Sequence, residues 1–109
     1  CLLVGQPTLR QRMKLGVFAA LDQRISLRCE LTGMTPDETA SYVAHHTALA
    51  GRTDTLFSAD AVALIHQTSR GLPRAVNNLA VQALLAAYAA NTGIVDESSA
   101  RQAVKETTA

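Results

Sequence analysis

The sequence predicts a mostly α-helical chain in which two residual strands of an α/β sheet precede a four-helix bundle. Three observations carry that expectation. Two apolar stretches, residues 1–5 and 25–31, have strand-like patterns and flank a helical segment, the order of a βαβ unit. From Met34 onward, capping residues and helical spacing recur four times. Alanine and leucine dominate while aromatics make up only 4%, a composition suited to helices packed at close range.

Residues 1–5 form an uninterrupted apolar run stopped by Gly5-Gln6-Pro7, the pattern of a buried strand in a parallel sheet. Thr8 can cap a helix that carries Leu9 and Met13, with arginines on its outer side. Gly16 breaks it. Val17 to Leu21 is a second short apolar segment, helical or irregular. Ile25, Leu27, Cys29 and Leu31 then alternate with Ser26, Arg28 and Glu30, a period-two strand with one buried face. Two strands alone cannot make a covered sheet. The expected organisation is therefore the C-terminal end of a larger α/β domain over 1–33 and a helical domain over 34–109. The start, Cys1-Leu2-Leu3 without a methionine, predicts the same: a piece of a longer protein.

Thr35-Pro36-Asp37-Glu38 is a capping box with proline at the first helical position. Its helix is expected to run to about Ala50 and end at Gly51. Ser58 caps the next helix, Phe57 and Val62 form a hydrophobic staple, Ile65 faces inward, and Gly71 ends it. Pro73 starts the third. Its Val76, Leu79, Ala80, Ala83, Leu84 and Ala87 make one wide apolar face, and Asn91-Thr92-Gly93 stops it. Asp96 caps a last helix with Ala100, Ala103 and Val104 inward.

Composition narrows the function. No apolar run approaches the ~20 residues that a membrane helix needs, and no secretory signal pattern is present. Cys1 and Cys29 are too few for a disulfide framework, which favours a reduced, cytoplasmic setting. Net charge is +1, so bulk charge gives no argument for nucleic acid. Arg10, Arg12 and Lys14 can touch DNA or a partner subunit, or form a solvated helix face; they lack interleaved aromatics. Adjacent His45 and His46 point about 100° apart on a helix, and no cysteine or carboxylate pattern completes a metal site with them or with His66. His46 is expected as a half-buried packing residue.

Gly71-Leu72-Pro73-Arg74 carries the functional signal. Glycine ends one helix, proline starts the next, and arginine sits in the first turn, where the helix dipole already places positive charge. An anion resolves that conflict, because free N–H groups plus a guanidinium make a phosphate site. The alternative is an arginine bent into solvent or paired with a carboxylate. Of Asn77 and Asn78, one is expected to bond to the preceding helix or hold Arg74, the other to be a surface residue.

Taken in order, Leu3-Val4-Gly5-Gln6-Pro7, Asp22-Gln23-Arg24-Ile25 and Gly71-Leu72-Pro73-Arg74 with Asn77-Asn78-Leu79 resemble the C-terminal part of an AAA+ ATPase. The likeness is to the ExeA-like branch, which includes ATP-binding helpers of transposons. It implies a nucleotide-binding sheet followed by a helical lid, with ATP and Mg²⁺ held mainly by a core preceding Cys1. Arg74 matches the sensor 2 arginine, and Gly71 and Pro73 beside it are expected to bind the nucleotide with it. Gln6 falls at sensor 1, or is a turn glutamine. Arg24 falls where an arginine finger reaches a neighbouring subunit, with Arg28 as competitor on a polar strand face near Glu30. Related proteins often have arginine at the position of His46. The chain has no Gly-x-x-x-x-Gly-Lys-Ser/Thr loop and no strand ending in paired acids, so it is expected to be inactive alone. The resemblance implies a homo-oligomeric ATPase that helps DNA transposition, with a transposase and DNA as partners. The alternatives are an ATPase supporting assembly of a type II secretion system and a non-catalytic helical binding module.

Overall fold

The computed structural model describes residues 1–108. The chain divides into two units, Cys1–Leu31 and Thr32–Ala109.

The first unit holds α1 (Thr8–Met13), a single 3₁₀ turn (Gly16–Phe18) and α2 (Ala19–Gln23). Pro7, not Thr8, is the N-cap of α1, and no side chain caps it. Proline's fixed φ, here −53°, already lies in the helical region, so the helix begins one residue earlier than a threonine cap requires. The apolar segment from Val17 to Leu21 is helical, joined to α1 through Leu15 in extended conformation.

The two expected strands do not form among the described residues: 1–6 and 25–31 take no regular structure. A strand is stabilised by its ladder and by burial of a face, and here neither is supplied. Leu2, Val4, Leu27 and Leu31 are largely exposed, and Met13 is the one buried apolar side chain among the described residues of this unit.

The second unit holds α3 (Pro36–Leu49), α4 (Ala59–Ser69), α5 (Pro73–Ala89) and α6 (Glu97–Thr108). Local chemistry sets their ends. Thr35 accepts the Glu38 N–H, Ser58 the Ala61 N–H at 3.1 Å, and Asp96 the Ser99 N–H at 3.0 Å. At the end of α3, Gly51 takes φ +97° and the N–H groups of Gly51 and Arg52 return to Ala48 and Thr47, a Schellman closure. Asn91, at φ 57°, closes α5 in the same way, with Asn91 and Thr92 bonded back to Tyr88 and Ala87. The end of α4 departs from expectation. Arg70 takes the left-handed conformation at the C-cap (φ 57°), and Gly71 follows with φ +75°.

The core joins Phe57, Ile65, Val76, Leu79, Ala83, Ala87, Val95, Ala100 and Ala103. The packing is most extensive between α5 and α6, where alanines on both helices allow a close approach. Phe57 and Val95 form an isolated parallel bridge, with Ser58 N–H to Val95 O at 2.9 Å and Val95 N–H to Leu56 O at 2.8 Å. This bridge ties the segment before α4 to the segment before α6.

The Asp96 cap makes stability depend on pH. Accepting the Ser99 backbone N–H holds its carboxyl below the ordinary carboxylate value. A depressed native value stabilises the fold above the unfolded-state pKa, and the gain is lost as pH falls through the native one. Asp96→Asn keeps the cap without the titration. Urea midpoints of the variant are therefore expected to fall less steeply than wild type as pH drops below the carboxylate range, and parallel curves refute this.

Candidate functional site

Arg74 occupies the first turn of α5, after Pro73. The N-cap residue Leu72 offers no side-chain acceptor, and the first turn contains no acidic residue. Where α3, α4 and α6 spend a Thr, Ser or Asp oxygen on their first turns, α5 leaves its turn open. Arg74 is exposed, and among the described residues no carboxylate lies within ion-pair distance of it. Of the alternatives the sequence left open, pairing with a carboxylate is excluded among the described residues.

The turn that presents Arg74 is locked from below. Met34 N–H donates to Gly71 O at 2.9 Å, and Gly71 N–H donates to Ser69 Oγ at 3.2 Å. A Cβ at Gly33 would meet Arg70 O at 2.2 Å, and one at Gly71 would meet Met34 O at 2.1 Å. The Gly33–Met34 and Arg70–Gly71 backbones therefore cross at a distance only glycines permit. Gly71 is buried with both backbone polar groups used, so it shapes the turn and offers no donor to a ligand. Pro73 has no N–H to offer either and acts through its fixed φ.

Asn77 and Asn78 divide into a bonded and a surface residue, but the bond reaches α3, not the preceding helix α4 or Arg74. Tyr42 Oη donates to Asn77 Oδ1 at 2.8 Å, linking α3 to α5, and Asn78 is exposed. His46 corrects the sequence reading: it is exposed, not half-buried, and lies against Tyr42 in a tilted contact with ring centroids 4.4 Å apart. The packing histidine is His66. It is half-buried, with Nδ1 2.8 Å from Oγ1 of the fully buried Thr39. This Thr39–His66 pair joins α3 to α4, and residues 27 apart give no local pattern from which to find it.

Gln6 and Arg24 belong to the first unit. The Gln6 carbonyl accepts the Leu9 N–H at 2.8 Å, opening α1, and its side chain is exposed. Arg24 is the C-cap of α2, exposed and without a carboxylate partner among the described residues. Arg28 is engaged differently from expectation. Its Nη2 lies 2.9 Å from Asp22 Oδ1 and donates to the Asp22 carbonyl at 2.8 Å, while Glu30 faces Arg10 at 3.8 Å.

A largely apolar groove of about 480 Å³ runs between α3 and α4, lined by Ala40, Val43, Val62 and His66 among others. None of the expected site residues lines it. Its one arginine, Arg52, grips Asp54 through Nε and Nη2 at 2.8 and 3.0 Å, which holds the Asp54 carboxyl below its ordinary value.

Among the described residues, no three His, Cys, Asp or Glu side chains gather into a metal-binding group. Among the described residues, no helix is long and apolar enough to cross a membrane.

No protein-family profile matches the chain, and no solved structure matches it. Among curated proteins, the chain is 33% identical over 87 residues to General secretion pathway protein A of Aeromonas hydrophila. The match covers 80% of this chain and spans 16% of the length of that protein. The similarity supports an ExeA-like relationship and brings no transposon helper with it.

Proposed function

We infer that the chain is the C-terminal part of an AAA+ ATPase, with Thr32–Ala109 serving as its helical lid and Arg74 as the lid arginine that binds the phosphate tail of ATP. The observation that carries this reading is an exposed, unpaired guanidinium on an uncapped helix N-terminus that has no acid of its own. The similarity to a secretion-pathway protein supports it from a separate direction. In this reading Gln6 touches the γ-phosphate or its attacking water, and Arg24 reaches the nucleotide of an adjacent subunit. The residues present fit the phosphate tail alone. Mg²⁺ finds no carboxylate set here, and the residues that hold it belong to the part of the ATPase preceding this chain. The name of the relative, a secretion-pathway protein, favours an energy supplier of a secretion pathway over a helper of transposition, which rests on resemblance of segments 40–46 and 71–79 alone.

In the ATPase that carries this chain, Arg74→Ala is expected to weaken ATP binding about ten- to a hundredfold, the range for losing a charged hydrogen bond. Because Arg74 has no intramolecular partner among the described residues, thermal unfolding should not move. Unchanged ATP affinity removes the assignment.

A further inference from the structure

α3 packs chiefly on α4, and α5 on α4 and α6. The direct tie from α3 to the start of α5 is made at two points: Met34 N–H to Gly71 O, before the helix, and Tyr42 Oη to Asn77 Oδ1, within it. Asn77 lies three residues after Arg74, a spacing that puts both on one side of α5. Tyr42 is well placed to fix that side. Its ring packs against the core and makes a tilted contact with His46, so the hydroxyl projects from an anchored base. Asn77 is exposed, so if the hydroxyl is removed its oxygen is satisfied by water and the fold loses little. What is lost is a side-chain tie from α3 to the side of α5 that carries Asn77 and Arg74. The Gly33–Gly71 crossing holds the backbone before the helix, and no side-chain cap fixes its first turn.

We propose that Tyr42 is a positioning residue for Arg74: through Asn77 it sets the direction in which the first turn of α5 presents the guanidinium. The inference rests on Arg74 binding phosphate. It touches no nucleotide itself, so its effect must vanish when Arg74 is absent, whereas a purely structural tyrosine acts equally in either background.

The test is a double-mutant cycle on ATP affinity in the ATPase that carries this chain, using Tyr42→Phe, Arg74→Ala and the pair. Tyr42→Phe keeps the ring and its packing. It is expected to weaken ATP binding about fivefold when Arg74 is present, the factor corresponding to one neutral hydrogen bond. In the Arg74→Ala background the same change should be silent. Equal losses in the two backgrounds, or no loss in either, overturn the positioning role. If Arg74→Ala alone leaves ATP affinity unchanged, the phosphate reading falls first and this inference with it. A defect of Tyr42→Phe seen only as a lowered unfolding temperature also overturns it.

Discussion

In the ATPase proposed to carry this chain, Arg24→Ala is expected to lower the kcat for ATP hydrolysis by about a thousandfold or more, the scale on which arginine fingers act, with little effect on folding. The second part follows from geometry. Arg24 ends α2 through its backbone N–H, bonded to Leu21 O at 3.1 Å, a bond that alanine keeps. Its side chain is exposed and has no carboxylate partner among the described residues. In the proposed finger role this guanidinium, which no carboxylate holds among the described residues, would act on the charge that develops on the transferred phosphoryl group. Arg28 provides the contrast. It is committed to Asp22 by an ion pair and a carbonyl bond, so Arg28→Ala loosens the end of α2 by an amount typical of a surface pair, about 0–1 kcal/mol. A finger is supplied across a subunit boundary, so mixing must reveal it. Arg24→Ala subunits keep Arg74, and Arg74→Ala subunits keep Arg24. At ATP concentrations too low to load the Arg74→Ala subunits, assemblies of the two should recover hydrolysis that neither shows alone. If mixing never restores turnover, Arg24 acts within its own subunit and is not a finger.

The parts of this chain that its sequence discloses are those governed by neighbours a few residues apart. Thr35, Ser58 and Asp96 each cap the helix they precede, and Gly51 and Asn91 close the helices they follow, because capping is a contest among groups within one turn. The place of Arg74 is legible for the same reason, since Pro73 fixes the first turn around it. What escaped are pairings across distance. The Phe57–Val95 bridge, the Thr39–His66 bond and the crossing of Gly33 with Gly71 join segments far apart in sequence, and no local pattern announces them. The alternation at 25–31 is present in the sequence, yet it specifies only which face a strand would bury. The ladder depends on a partner, and none pairs with it among the described residues. Arg70 shows the opposite error. The preference of glycine for left-handed backbone pointed to Gly71 as the stop of α4, but both residues take positive φ and the arginine comes first.

That double left-handed turn makes Gly71→Ala the substitution expected to harm the fold most. Three costs fall on one atom. The φ of +75° is strained for any residue with a Cβ. The added carbon would lie 2.1 Å from Met34 O and 2.6 Å from Met34 N, and both are backbone atoms that cannot swing aside. Any shift that relieves the clash lengthens the Met34 N–H to Gly71 O bond, between a half-buried and a buried residue where a lost bond is poorly replaced by water. Together these amount to about 3–5 kcal/mol, a large share of what a domain of this size possesses. Gly51→Ala separates the terms. Its φ of +97° carries the same kind of strain, but nothing lies within 4 Å of its Cβ, so it should cost only about 1 kcal/mol. At about 4–8 °C per kcal/mol for a unit this small, the two variants should differ in Tm by roughly 8–30 °C. Equal Tm values would mean that the Gly33–Gly71 crossing yields without cost. In that case the clamp does not fix the start of α5, and Arg74 loses the rigid base from which its part in phosphate binding is argued.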